Sequence, residues 1–360
     1  MKYAVTCGGT GGHVFPGVAT AAALKAAGDD AALILSGRGV EGMSAAGWTG
    51  EIMAVPCPPL RKHPFAVFKA IAAAFRQLKK YEPDALLAMG SYSSVAPVLA
   101  ARILRIPVVL HEANAVPGLA NRFLSRFASA VAISFPDAGR FFPRGLRIVD
   151  TGMPARSGIS APSGEPRDFT SGTAVPVLLV MGGSQGARAV NSLVVSAASV
   201  LASRGRRFKI IHLAGRAGED AVKAAYSAAG ADAEVIGFSN EMNRLYSEAD
   251  ICVSRSGAAS CFELCLAELP SILIPLPTAA RDHQTANAAV LAGCGAAVRV
   301  VQNELTPESL ADAISALADD TAKRSAMRKA LKLLARPDAA LSLADLLRKA
   351  ARGFSSASDV

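Results

Sequence analysis

Two stretches of this chain repeat one pattern: a short apolar run, a cluster of glycines, then an alanine-rich helical run. The first is "KYAVTCGGTGGHVFPGVATAAALKAAG", residues 2–28, and the second is "VPVLLVMGGSQGARAVNSLVVSAASVLASRG", residues 175–205. A strand that enters a helix through glycines leaves backbone N–H groups pointing outward, and the helix dipole adds partial positive charge there. Such a unit buries its strand only within a parallel βαβ array. In the second copy the pattern predicts a strand at 175–181, a loop at 182–187 and a helix to about 204.

Apolar bursts follow each opening: "DAALILSG", "DALLAMGS", "IPVVLHE" and "SAVAISF", then "FKIIHLAG", "AEVIGF", "ADICVSRSG", "PSILIPLP" and "GAAVRVV". Short uninterrupted apolar runs separated by helical stretches indicate parallel strands covered on both faces. Two such arrays in 360 residues predict an α/β chain of two Rossmann-like domains. The boundary is expected in the Pro/Gly/Ser-rich stretch 152–174, giving domains at 1–155 and 156–337. Thr306 reads as the cap of a helix whose first position is Pro307, and "ALSLADLLRKAARGF" as an amphipathic final helix.

Charge separates the two halves. Residues 1–155 hold 16 Lys+Arg against 9 Asp+Glu, the remainder 22 against 20, within a net charge of +9. An anionic surface or polyanion is therefore expected to meet the first half. No aromatic–basic interleaving or helix-turn-helix pattern points to a nucleic acid partner. The six cysteines form no CxxC pair or zinc spacing, so no metal site is expected and the thiols read as reduced in a cytosolic protein. Glycines interrupt the first apolar run at residue 8, which argues against a signal peptide. "ALLAMGSYSSVAPVLAA" is a poor membrane span, so a soluble or peripheral protein is expected.

Neither glycine loop is a GxGxxG fingerprint or a P-loop, but each carries a hydroxyl, Thr10 in one and Ser184 in the other. His13 opens the helix after the first loop. A helix N-terminus disfavours the imidazolium and keeps the ring neutral, as a general base requires. A ring that only caps the loop or bonds a phosphate fits the residues equally well. His111, at the end of an apolar run, reads as structural.

Residues 61–80, "RKHPFAVFKAIAAAFRQLKK", hold six basic and no acidic residues. On a helical projection Phe65, Phe68, Ile71, Phe75 and Leu78 share one arc, with Lys69, Arg76 and Lys80 along its edge. That suits a helix lying in anionic headgroups, and equally a core helix with a solvated face; the phenylalanines divide between the two roles if some turn inward.

Six motifs taken together resemble one family: "GGTGGHVFPG" (8–17), "GSYSSVAPVLAA" (90–101), "HEANAVPGLANRFL" (111–124), "MGGSQGARAVN" (181–191), "SRSGAASCFE" (254–263) and "RDHQTANA" (281–288). In this order they resemble the bacterial UDP-N-acetylglucosamine transferases of peptidoglycan synthesis, in glycosyltransferase family 28. The resemblance implies a GT-B fold, two Rossmann-like parallel-sheet domains facing a cleft. It also implies that the final helix, about 338–354, crosses back to the first domain. The implied reaction is inverting transfer of GlcNAc from UDP-GlcNAc to the C4 hydroxyl of MurNAc in lipid I. It forms lipid II and UDP, without a cofactor, at the inner leaflet of the cytoplasmic membrane.

Position by position, the resemblance implies donor contacts at Thr10, Gly11, Gly12, Asn114, Arg156, Ser184, Ser239, Arg255, Gln284 and Asn287. They continue along Ala258, Ala259, Ser260, Cys261, Phe262 and Glu263, where the carboxylate matches the acid that holds the ribose. His13 matches the proposed base, with Tyr92 and Glu112 in the catalytic group and Asn121 on the acceptor side. Two positions depart from the family: Met153 stands where an asparagine is usual, and Ser239 where an aliphatic residue is. Alternatives within the same fold are a diacylglycerol glycosyltransferase and a UDP-GlcNAc 2-epimerase.

Overall fold

Strands β1 (Lys2–Thr6), β2 (Asp30–Leu35), β3 (Ile52–Ala54), β4 (Ala85–Ala88), β5 (Val108–Glu112), β6 (Ala130–Ile133) and β7 (Arg147–Asp150) form one sheet. Its order is β3-β2-β1-β4-β5-β6-β7, parallel throughout. A second parallel sheet contains β8 (Val177–Met181), β9 (Lys209–Leu213), β10 (Ala233–Ile236), β11 (Ile251–Ser254), β12 (Ser271–Leu273) and β13 (Val298–Arg299). These are seen in a computed structural model that describes residues 1–9, 11–37, 41–42, 45–57, 64–156, 158–171, 174–183 and 186–354. The chain forms two units, Met1–Ser157 with Arg336–Val360, and Gly158–Ala335.

The helices of the first unit are α1 (Gly11–Ala26), α2 (Pro64–Tyr81), α3 (Val95–Ile103) and α4 (Leu119–Leu124). The second unit holds α5 (Arg188–Ser203), α6 (Glu219–Ala228), α7 (Met242–Glu248), α8 (Ala258–Leu266), α9 (His283–Gly293), α10 (Pro307–Asp319) and α11 (Thr321–Leu334). The last helix, α12 (Ala339–Arg352), returns to the first unit.

Side chains alternate across the first sheet and so divide between two cores. Leu86 and Leu110 meet Ala74 and Leu78 of α2 and Val98 of α3 on one face. Val5, Leu33 and Leu87 meet Val14 and Leu24 of α1 and Leu343 and Leu347 of α12 on the other. Each such leucine contributes roughly 1.5–3 kcal/mol by leaving water. The final helix thus completes the first domain's core, with Arg348 donating to Asp29 at 2.7 Å. Gly17 lets α1 approach the end of β1, since a Cβ there would lie 2.5 Å from Cys7 Cβ. That close seating fixes where the first glycine loop must pass.

In the second unit Val190, Val194 and Leu201 of α5 and Leu310 and Ile314 of α10 cover Leu178, Val180 and Ile210. Helix α10 begins as its sequence indicates, with Pro307 first and the Thr306 hydroxyl accepting from Ser309 N–H at 3.1 Å. The second opening forms β8 and α5 within two residues of the expected strand start and helix end. Strands β3 and β7 had no apolar burst to announce them. Both lie at sheet edges and are only part-buried, so their residues are not continuously apolar.

Each sheet buries one histidine. His111 Nε2 lies 3.2 Å from Gly152 O and 3.1 Å from Ser134 Oγ, confirming a structural ring. His212 is held by Tyr226 Oη at 2.9 Å and Asn191 Oδ1 at 3.2 Å. Burial pushes both rings down to about 4. In the unfolded chain each protonates near 6.5. Between those limits the unfolded state takes protons that the folded state refuses. Stability is therefore full above about pH 6.5 and falls as pH drops toward 4, by on the order of 3 kcal/mol per ring. Urea midpoints measured across that window are expected to decline; a flat profile would show that the rings are not kept neutral.

Candidate functional site

Strand order in the first sheet reverses between β1 and β4, which opens a crevice beyond their carboxyl ends. The glycine loop leaves β1 there and the turn containing Tyr92 leaves β4. Ser93 Oγ donates to Gly8 O at 2.6 Å and ties the two together. A Cβ on Gly9 would lie 3.1 Å from Ser91 Oγ and 4.0 Å from His13 Nδ1, so the His13 ring folds back over the loop. Gly11, Gly12 and half-buried His13 form the first turn of α1, while Thr10 lies outside the described residues. Tyr92 is 57% exposed. The structure thus gathers the loop glycines, His13 and Tyr92 at one switch point.

Glu112 is turned into the loop that follows β5. Its carboxylate, 2% exposed, accepts from Asn114 N–H (2.9 Å) and Nδ2 (3.2 Å), Gly118 N–H (3.2 Å) and Asn121 Nδ2 (2.9 Å). Burial raises its pKa, against the pull of those donors. Glu112 therefore shapes the loop after β5 from within. Buried Asn121 shares that work, donating also to His111 O at 3.0 Å. Asn114 remains half-buried at the loop surface. The Arg156 guanidinium stacks over the Phe15 ring of α1 at 3.8 Å from its centroid. Met153, in place of the family asparagine, is buried with Ser134 Oγ 3.9 Å from its sulfur.

Strand order in the second sheet reverses between β8 and β11. Here the second glycine loop leads into α5 and residues 255–257 lead into α8. Gly186 has φ 74°, and a Cβ on it would lie 2.3 Å from Ala214 O, so only glycine fits without displacing backbone. A cavity of about 480 Å³ opens beside this loop, lined by Gly182, Gly186, Arg188, Arg255, Gln284 and Gln302 among others. Ser184 lies outside the described residues.

Several side chains in and around this part of the second unit have traceable partners. Arg255 donates to Ile274 O and Pro275 O, both at 3.0 Å, and to Gln302 Oε1 at 2.6 Å. Gln302 was not foreseen; it lies 47 residues from Arg255 and in no motif. The Gln284 oxygen accepts from Leu276 N–H at 3.0 Å, which turns the amide's NH2 end away from that contact. Asn287 is fully buried and donates to Ser256 O at 3.1 Å, which holds the 255–257 turn. Glu263, in α8, accepts from Tyr246 Oη at 2.9 Å. Ala259 and Ser260 are half-buried, whereas Ala258, Cys261 and Phe262 turn into the core and offer a ligand only backbone. Ser239 Oγ accepts from Glu241 N–H at 3.0 Å and shapes the turn before α7. Two helix N-termini, each worth about half a positive charge, and an open cavity suit a diphosphate.

Helix α2 divides its apolar arc. Leu78 is buried and Ile71 and Phe75 pack against the first core, while Phe65 and Phe68 are 82% and 69% exposed. Lys69, Arg76 and Lys80 are exposed beside them.

Residues 3–133 match the glycosyltransferase family 28 N-terminal domain and residues 177–343 its C-terminal domain. A protein of Halorhodospira halophila named UDP-N-acetylglucosamine--N-acetylmuramyl-(pentapeptide) pyrophosphoryl-undecaprenol N-acetylglucosamine transferase is 36% identical, over 97% of this chain and 98% of its own. Among solved structures, Acinetobacter baumannii MurG superposes with TM-score 0.76 at 33% identity, covering 97% of this chain and 100% of that one. UDP-GlcNAc 2-epimerase from Neisseria meningitidis, solved with UDP-GlcNAc, reaches TM-score 0.70 at 14% identity over 97% of this chain and 100% of that one, which speaks to the fold alone.

Proposed function

The chain belongs to glycosyltransferase family 28, and from that premise we propose that it transfers GlcNAc from UDP-GlcNAc to lipid I, giving lipid II and UDP. The observation that carries this is the cavity of about 480 Å³ at the β8/β11 switch point. It lies in a chain that aligns nearly end to end with transferases of that name.

The diphosphate sits against the 182–187 loop and the start of α5, where Ser184 and main-chain N–H groups stabilise charge as UDP departs. Arg156 adds positive charge at that diphosphate. Uridine lies along residues 255–263, with Glu263 accepting from the ribose hydroxyls and Ser239 offering backbone to the base. Arg255 and Asn287 brace that segment, and the Gln284 NH2 donates to the sugar. Thr10, Gly11, Gly12 and Asn114 line the path of the transferred sugar, and Tyr92 contacts the acceptor. Glu112 and Asn121 act through the loop they hold. His13 takes the proton from the MurNAc C4 hydroxyl as its oxygen bonds to the anomeric carbon. The carbon–oxygen bond to UDP breaks on the opposite face, so configuration inverts.

The test is UDP release from UDP-GlcNAc with and without a lipid I analogue. Acceptor-dependent release supports the reading. UDP-ManNAc formed without acceptor would replace it with epimerisation.

No helix among the described residues is long and apolar enough to cross a membrane. We propose that the acceptor is met at the inner leaflet of the cytoplasmic membrane, on which Phe65 and Phe68 rest with Lys69, Arg76 and Lys80 over anionic headgroups and half-buried Phe75 bracing the helix. Each basic residue contributes about 1 kcal/mol near such a surface. Replacing Phe65 and Phe68 together by serine is expected to weaken binding to phosphatidylglycerol vesicles by about tenfold or more. UDP affinity should stay level, and undiminished sedimentation with vesicles would count against α2 as the contact.

A further inference from the structure

We propose that Glu41 is a built-in anion that sets the first glycine loop, and so a positioning residue for the transfer; this rests on the reaction proposed above. Glu41 is 1% exposed. It accepts from Gly9 N–H at 2.6 Å, Ser36 N–H at 2.7 Å, Gly37 N–H at 2.9 Å and the Ser36 hydroxyl. One of its oxygens would lie 3.2 Å from a Cβ on Gly8. Three main-chain N–H groups converging beside a hydroxyl form a nest for an anion. Here the chain supplies that anion itself.

Two consequences follow. The Gly9 N–H is committed to Glu41 and is not offered to a substrate phosphate. In contrast, the cavity beside the second loop is lined by no carboxylate among the described residues. The two glycine loops, alike in sequence, are therefore unlike in chemistry: one gives its Gly9 N–H to a carboxylate of the chain, and the other borders a cavity. Gly9 also lies next to the His13 ring and Ser91, so its anchoring sets the direction in which α1 presents His13.

The experiment uses the full chain with Glu41→Gln, Glu41→Asp and Glu41→Ala. Glutamine keeps the size but turns an NH2 group toward N–H donors. We expect kcat to fall by about 10–100-fold, with UDP affinity and the KM for UDP-GlcNAc within about twofold. Glu41→Asp recovers part of the rate. Formate restores Glu41→Ala in proportion to its concentration, and chloride at equal ionic strength does not. A kcat within about twofold of the parent, or a loss that follows melting temperature alone and ignores formate, overturns the proposal. A parent enzyme that releases no UDP with acceptor fails the reaction reading instead. Amide exchange then judges the loop: faster exchange of the Gly9 and Gly37 N–H in Glu41→Gln sustains the anchor, and unchanged exchange removes it.

Discussion

His13→Ala is expected to lower turnover by about 10²–10⁴-fold, while UDP binds as it does to the parent chain. The size of the effect comes from proton transfer. A positioned base matters only as the acceptor oxygen attacks, so its loss appears in kcat and kcat/KM together and not in ground-state binding. The geometry supports the role, because the ring emerges from the first turn of α1 and folds back over Gly9 at the switch point. Steady-state kinetics with calorimetric UDP titration provide the check. An unchanged kcat would take His13 out of the chemistry, and a matching loss of UDP affinity would make it a ligand contact.

Gly186→Ala is expected to damage the donor site and the domain around it. The position requires φ 74°, and the new Cβ would meet Ala214 O at 2.3 Å, with the Ala214 carbonyl carbon and Gly215 Cα at 3.0 Å. All three are main-chain atoms, so no rotamer change relieves the contact. The left-handed conformation costs about 1–2 kcal/mol and overpacking about 1–3 more. A sum near 3 kcal/mol lowers the melting temperature of a domain this size by roughly 6–12 °C. The loop must also move where it borders the cavity, so UDP affinity should drop by about tenfold or more. A variant that melts and binds UDP like its parent would refute the loop's role.

The glycine loops show how far one-dimensional reading reaches. Their alternation of strand, glycine and helix is local, and the βα units formed where that alternation lies. Edge strands β3 and β7 escaped because a strand paired on one side only need not be apolar throughout. On α2 the apolar arc was legible, but not its division into buried Leu78 and exposed Phe65 and Phe68. That depends on how much of the helix the sheet covers.

At Glu112 residue type did not foretell the surroundings. A carboxylate within a recognisable motif reads as exposed to substrate, and in the fold Asn114, Gly118 and Asn121 donate to it from its own loop. Asn287 is a like case, its amide donating to Ser256 O inside the domain. Glu41 and Gln302 had no signal at all. Glu41 reaches beyond its neighbours Ser36 and Gly37 to Gly9, 32 residues away, and Gln302 reaches Arg255, 47 residues away, both beyond any local period.

The order and type of the repeated units, the pairing of each glycine turn with a helix start, and the family were therefore properties of the sequence alone. They depend on neighbours along the chain, whose periodicity and backbone freedom are written locally. Which carboxylate is enclosed by main-chain donors, which amide braces a turn, and which glycine loop meets a carboxylate of the chain were decided only in the folded protein. Burial and hydrogen-bond partnership arise where distant segments converge, and only there do strand ends such as those of β1, β2 and β4 become neighbours.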